Sequence, residues 1–260
     1  MIRSIRQPLL LAAGLFALPL AHADDPPPVG WTGTGQAGLV LARGNADTTT
    51  ANVKLDATDT YGDWKDLAHL AFLYGESANI TSAQRIEGAW QTNYSFGKRT
   101  FVFGSMQGED DHFDGFVYQV TLATGLGYKF FDTDSTKLTA NIGFGYRRLQ
   151  PETLEHATGT SEVTGRIYGK STSDGVGTAG LDYMQLITKT TKLTDKLLVA
   201  SGGQNTSVAN DFAIAVNINA SLALSFGFGL RYNSNPPTGT KSTDELTTIN
   251  LVYAFNHPKQ

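Results

Sequence analysis

The stretch Leu222-Ala223-Leu224-Ser225-Phe226-Gly227-Phe228-Gly229-Leu230-Arg231-Tyr232-Asn233 decides the architecture. Leu222, Leu224, Phe226, Phe228, Leu230 and Tyr232 are large and apolar, and every position between them is small or polar. Recurrence at every second residue marks a strand, because successive strand side chains point to opposite faces, whereas a helix spaces its apolar residues by three and four. The run is also long. Strands in globular proteins are typically about 5–6 residues, while a tilted strand needs about 9–11 to cross the hydrocarbon of a membrane.

Working outward, the segment from Phe116 repeats the pattern. Phe116, Tyr118, Val120, Leu122, Leu126, Tyr128 and Phe130 form one face, and Gln119, Thr121, Gly125, Gly127 and Lys129 the other. Comparable segments lie at 34–43, 50–61, 66–76, 84–96, 101–109, 137–148, 176–187, 192–201, 210–220 and 245–255. With the first two they make about 12, an even number, as closed antiparallel meanders in bacterial outer membranes have. Connections at Gly62-Asp63, 97–100, 132–135 and 219–221 are short, while those at 149–175 and 233–244 are long. Short turns on one rim and long loops on the other are expected of transmembrane barrels. The expected fold is therefore all-β: a transmembrane antiparallel up-and-down barrel. A soluble two-sheet sandwich is the alternative that strand length argues against.

The charges orient the wall. Lys54, Asp56, His69, Arg85, Glu87, Lys129, Arg147 and Arg231 fall on the polar side of their strands. A basic side chain facing lipid at the midplane costs about 2–4 kcal/mol, so the polar side is expected to face the lumen. Aromatic residues collect at strand ends: Tyr61, Trp64, Tyr94, Phe96, Phe101, Phe130, Phe131, Tyr253 and Phe255 by the short turns, and Tyr74, Phe116, Tyr118, Tyr146 and Tyr232 by the loops. Two such rows are expected to form interfacial girdles.

Positions 1–23 read as a cleaved signal peptide: Arg3 and Arg6 precede an apolar run over 9–20, which ends in Ala21-His22-Ala23. The run is broken by Gly14 and Pro19 and is too short for a helical span of about 20 residues. A Pro-rich leader, 24–30, a barrel, 31–255, and a polar tail, 256–260, complete the expected organisation. The chain has no cysteine, which excludes disulfides, thiolate metal sites and a cysteine nucleophile. Its net charge is −4, and more negative once the two signal arginines leave, which argues against nucleic acid as a partner.

Several motifs, in order and in register with these strands, resemble a known family. They include Gly30-Trp31-Thr32-Gly33, Arg43-Gly44-Asn45, Leu73-Tyr74-Gly75-Glu76-Ser77, and Gly125-Leu126-Gly127-Tyr128 with Asp132-Thr133-Asp134. Gly143-Phe144-Gly145-Tyr146-Arg147-Arg148, Gly180-Leu181-Asp182-Tyr183, Leu230-Arg231-Tyr232-Asn233-Ser234-Asn235-Pro236-Pro237 and Leu251-Val252-Tyr253-Ala254-Phe255 follow. The chain resembles domain-of-unknown-function family 481, the salt-induced outer-membrane proteins. The resemblance covers nearly all of the chain after position 23 and implies an integral barrel of the Gram-negative outer membrane with a link to salt stress. It implies no activity, cofactor or catalytic residue. The stretch 149–172 is longer and richer in Thr and Gly than the pattern leads one to expect, and the tail 256–260 follows the terminal aromatic residue.

No constellation completes a catalytic site. The pairs Gly33/Gly35, Gly125/Gly127, Gly143/Gly145 and Gly227/Gly229 lack the helix of a nucleotide loop and are expected to share the lumen face, where missing side chains admit close packing. An outer-wall hydrolase needs a histidine beside a serine, but His22 leaves with the signal, His112 and His156 lie in loops, His257 lies in the tail and His69 faces inward. The chain is therefore expected not to be an enzyme and to need no cofactor. Glu109, Asp110, Asp111 and Asp114, with His112, form an acidic loop offering oxygen ligands to a hard cation, although the spacing matches no EF-hand. Expected functions are a small-solute or ion channel or an envelope protein of salt or osmotic adaptation, then a structural or adhesion barrel with a closed core, and last a lipid-modifying enzyme. Expected partners are outer-membrane lipid, lipopolysaccharide and the barrel-assembly machinery. The named lumen cations outnumber the carboxylates, so a pore is expected to favour anions weakly.

Overall fold

A computed structural model describes residues 30–42, 48–77, 80–111, 116–156, 163–236 and 241–258, and the signal segment lies outside them. Its strands are β1 (Gly30–Ala42), β2 (Thr48–Tyr61), β3 (Trp64–Ser77), β4 (Ile80–Ser95), β5 (Thr100–Asp111), β6 (Phe116–Asp132) and β7 (Thr136–His156). They continue as β8 (Val163–Tyr168), β9 (Thr172–Leu186), β10 (Thr191–Gly202), β11 (Thr206–Asn217), β12 (Leu222–Asn233) and β13 (Thr243–Pro258). Every pairing is antiparallel, and β1 pairs with β13, so β1 to β7 and β9 to β13 close into a barrel of 12 strands. The remaining strand, β8, pairs only with the far end of β7, from Glu152↔Tyr168 to His156↔Val163. The long segment after 149 is thus a hairpin extending the barrel wall beyond the loop rim.

Alternation sorts the wall as expected. On β12, Leu224 and Phe226 are exposed to the outside while Ala223 and Ser225 are buried within. Leu70, Phe72, Leu122, Leu126, Ile142, Ile249 and Leu251 extend this apolar outer surface around the barrel. Closure leaves the 12 barrel strands without an edge where the ring is complete, so the backbone groups of the wall are bonded within the protein, as hydrocarbon demands.

Five positions depart from the simple alternation or from the faces assigned above. Phe101, expected in the short-turn girdle, is 3% exposed inside the barrel with Phe103. Their rings fill space left by inward glycines: a Cβ on Gly127 would collide with the Phe101 ring, and one on Gly125 or Gly143 with that of Phe103. Phe116, expected on the lipid side, is also buried, because the register slips between Phe116 and Tyr118 and reverses its direction. Gly33 and Gly35 lie on the outer wall, since Thr34 and Gln36 between them line a lumen cavity. Asp195 also faces outward, between Thr194 and Lys196, which line that cavity, and it accepts a hydrogen bond from Asn210 Nδ2 at 2.7 Å.

Inside the wall, glycine also permits contact across a strand. Asn52 of β2 donates to Asn250 of β13 at 2.8 Å over Gly38 of β1, where a Cβ would strike both amide oxygens.

The sorting is testable. Phe226→Arg places a charge on the outer wall near mid-strand and is expected to cost about 2–4 kcal/mol. Gln107→Lys, directed into the lumen, is expected to assemble as the parent does. Heat-modifiable migration after refolding into lipid vesicles measures both, and equal yields for the two variants would refute the facing.

Candidate functional site

The lumen holds a septum of ionised side chains. On the β2–β4 wall, alternation brings Asp56 opposite His69, while Arg85 and Glu87 follow two apart on β4. The His69 ring is seated between two carboxylates, with Nδ1 at 2.8 Å from Asp56 and Nε2 at 3.2 Å from Glu87. Both contacts are hydrogen bonds only for the imidazolium, which alone has two N–H donors. Arg85 lies 3.8 Å from Glu87 and 3.9 Å from Asp111 of β5.

The opposite wall, β10 to β12, supplies Lys196, Asp211 and Arg231, and these reach across. Arg231 donates to Asp211 at 2.9 Å and approaches Glu87 of β4 at 3.8 Å. Lys54 of β2 donates to Asp211 at 3.3 Å, and Lys196 lies 3.9 Å from Asp56. In the ring of strands, β2 and β11, or β4 and β12, are separated by several intervening strands on either side. These contacts therefore span the lumen instead of running along its wall.

The septum divides the interior. One cavity, of about 290 Å³, lies against β4 to β7 and β9 to β12 and is lined by Gln107, Gln119, Thr121, Asn141 and Phe103 among others. The second, of about 490 Å³, lies against β1 to β5 and β10 to β13 and is lined by Thr34, Gln36, Ser225, Thr248 and Asn250 among others. His69, Lys196, Asp211 and Arg231 line both, which identifies them as the partition.

Two of the lumen candidates stand apart from it. Arg147 is 0% exposed and holds Asp174 of β9 through Nε at 3.3 Å and Nη2 at 3.0 Å. Its Nη2 also donates to the Asn205 carbonyl at 2.8 Å, which ties the β10–β11 connection to the wall. Lys129 pairs with Asp132 at 3.4 Å by the short-turn rim.

The acidic segment is not the loop expected. Glu109, Asp110 and Asp111 belong to β5, Glu109 lines the first cavity and Asp111 joins Arg85. Asp114 and His112 lie outside the described residues. Among the described residues, no group of three or more His, Cys, Asp or Glu is placed to hold a metal ion. The sequence reading also missed Asp211 and Lys196, although both stand on the polar side of alternating strands. With Asp211, Glu109 and Asp111 included, the five carboxylates Asp56, Glu87, Glu109, Asp111 and Asp211 stand against His69 and the four cations Lys54, Arg85, Lys196 and Arg231, and the expected anion preference loses its basis.

Fold and site together define a transmembrane β-barrel with an ion-paired lumen. The chain belongs to the family described as "Protein of unknown function, DUF481", whose model matches residues 35–255. It is 23% identical over 271 residues to the uncharacterized protein YdiY of Escherichia coli (strain K12), spanning 98% of this chain and 99% of that one. Among solved structures, an outer membrane channel from Pseudomonas putida F1 superposes with a TM-score of 0.49 at 9% identity, covering 92% of this chain and 100% of that one. The NanC porin gives 0.47 at 9% identity, over 87% and 100%. The fold assignment itself rests on the strand pairing above.

Removing one partner of a buried ion pair typically costs about 3–5 kcal/mol, because the other charge stays uncompensated. Arg147→Ala is expected to lose stability of that order, read from the urea unfolding midpoint in lipid vesicles. Adding Asp174→Ala is expected to return part of the loss, and no recovery would show that the guanidinium acts through its other contacts.

Proposed function

We propose that this protein is an integral outer-membrane barrel that passes small polar solutes passively along the two cavities beside its septum. The observation that carries the reading is the partition itself: ion pairs occupy the centre, while solvent-sized space continues beside them. The lining of the first cavity extends from Asp182, near the short turns, to Asn205 and Asn233 at the loop rim. Barrels of 8 strands fill with side chains and those of about 16–18 leave a channel, so a 12-strand barrel obstructed at its centre suits narrow flanking routes. The outer-membrane placement is supported by the closed apolar wall. A non-catalytic role is supported by His69, whose ring is held between two lumen carboxylates.

The septum also supplies a physical link to salt. Its ion pairs are partly solvated, with Lys54 and Lys196 side chains 27% and 60% exposed. Such pairs are screened as the Debye length falls from about 10 Å at 0.1 M to about 3 Å at 1 M salt. Rising ionic strength therefore loosens the partition.

In planar bilayers, the refolded chain is expected to show small steady conductance with weak ion selectivity, increasing more steeply than bulk conductivity from about 0.1 to about 1 M salt. Arg231→Ala, which removes one cross-lumen contact, is expected to raise the conductance. Silent bilayers would favour the second reading, a structural barrel closed by the same pairs at 2.9–3.9 Å.

Orientation has its own test. Cysteine substituted for Lys170, beyond β8, is expected to react with an impermeant maleimide on intact cells, whereas cysteine substituted for Asp63 is not. The reverse pattern would invert the barrel.

A further inference from the structure

We infer that the first cavity takes polyhydroxy solutes of about monosaccharide size and excludes their anionic forms. The inference rests on the channel reading and names the solute class for one of its two routes. It begins with which polar groups inside the barrel are already satisfied. The septum charges pair with one another: Lys54 and Arg231 with Asp211, Lys196 with Asp56, Arg85 with Asp111, and His69 with Asp56 and Glu87. Glu109 and Asp182 line the cavity as well, so an anion entering it meets carboxylates, and the cations that could attract it, Lys196 and Arg231, are already paired.

The neutral groups are in the opposite state. Ser105, Gln107, Gln119, Thr121 and Asn141 line the cavity, and none forms a side-chain hydrogen bond with the described residues. They stand in neighbouring register on the β5–β7 wall, with Gln107 opposite Thr121 and Gln119 opposite Glu109. A primary amide offers two N–H donors and a carbonyl acceptor, and a hydroxyl offers one donor with acceptor lone pairs. Adjacent hydroxyls of a sugar or polyol both donate and accept, and so match an amide on both counts. Ala89 and Ala123, small residues between these groups, keep space open in front of them. Phe103, at the same wall, supplies an apolar surface for the C–H face of such a solute. The volume of about 290 Å³ admits a single sugar ring with its first waters, and a disaccharide only if largely stripped of water.

The test uses proteoliposomes containing the full folded chain and three solutes of nearly equal size: glucose, gluconate and protonated glucosamine. Osmotic swelling is expected to be severalfold faster with glucose or glucosamine than with gluconate, as a pore lined by carboxylates favours cations over anions. Gln107→Leu combined with Gln119→Leu is expected to reduce glucose entry severalfold. Equal swelling with all three solutes would overturn the polyol assignment and leave an unselective channel. Conductance without swelling for any of the three would overturn it as well, and absence of both swelling and conductance would remove the channel reading itself. Should the double variant fail to fold by heat-modifiable migration, the three-solute comparison on the parent chain still decides.

Discussion

A backbone amide placed in hydrocarbon has no water to bond, and an unpaired one costs several kcal/mol. That constraint shapes this chain throughout. It requires each strand to be paired on both sides, which only closure provides, and here β1 meeting β13 completes the ring. Closure creates an inside and an outside, and a side-chain period of two then assigns every residue to one or the other. Most charges go inward because the outer surface faces lipid. The exceptions are informative: Asp195 outside is bonded to Asn210, and Asp66 outside accepts from Thr92 at 2.6 Å. These two outer-wall carboxylates persist with donors held next to them.

Gathering charges inside creates a second problem. A 12-strand barrel is too wide for one layer of side chains to fill and too narrow to give each charge its own water shell. Long basic side chains from β2, β10 and β12 cross the lumen to carboxylates on the far wall, and the result is a partition instead of a packed core. Pairs of this kind are poor evidence for stability, since desolvation offsets much of their attraction. Their consequence is spatial. They hold the two walls in register and force any solute to one side, where neutral side chains such as Gln107 and Gln119 still have hydrogen bonds to offer.

The aromatic residues show the same economy of space. Trp31 packs on Trp90 at 5.9 Å between ring centroids and Trp64 on Tyr94 at 5.0 Å, as expected of an interfacial row. Phe101 and Phe103 do something else. They turn inward onto glycines of β6 and β7, which narrows the lumen on that side and places an apolar surface beside the free amides. The pair Gly125 and Gly127 is therefore a receptor for rings from the neighbouring strand.

Strand alternation over Leu222–Asn233 and its counterparts sufficed for the architecture, the strand count and the facing of Lys54, Asp56, His69, Arg85, Glu87 and Arg231, because face follows from parity and parity can be counted along a chain. Three things could not be counted. Phe116 turned inward because of an irregular register at Val117, set by pairing with β5 and β7 and invisible in the alternation of β6. Glu109 and Asp111 resembled an exposed acidic loop until pairing extended β5 through them. The septum itself joins residues as far apart as Lys54 and Asp211, 157 positions along the chain. Parity says that both point inward, but only the circumference and stagger of the closed barrel decide which inward groups come within reach across the lumen.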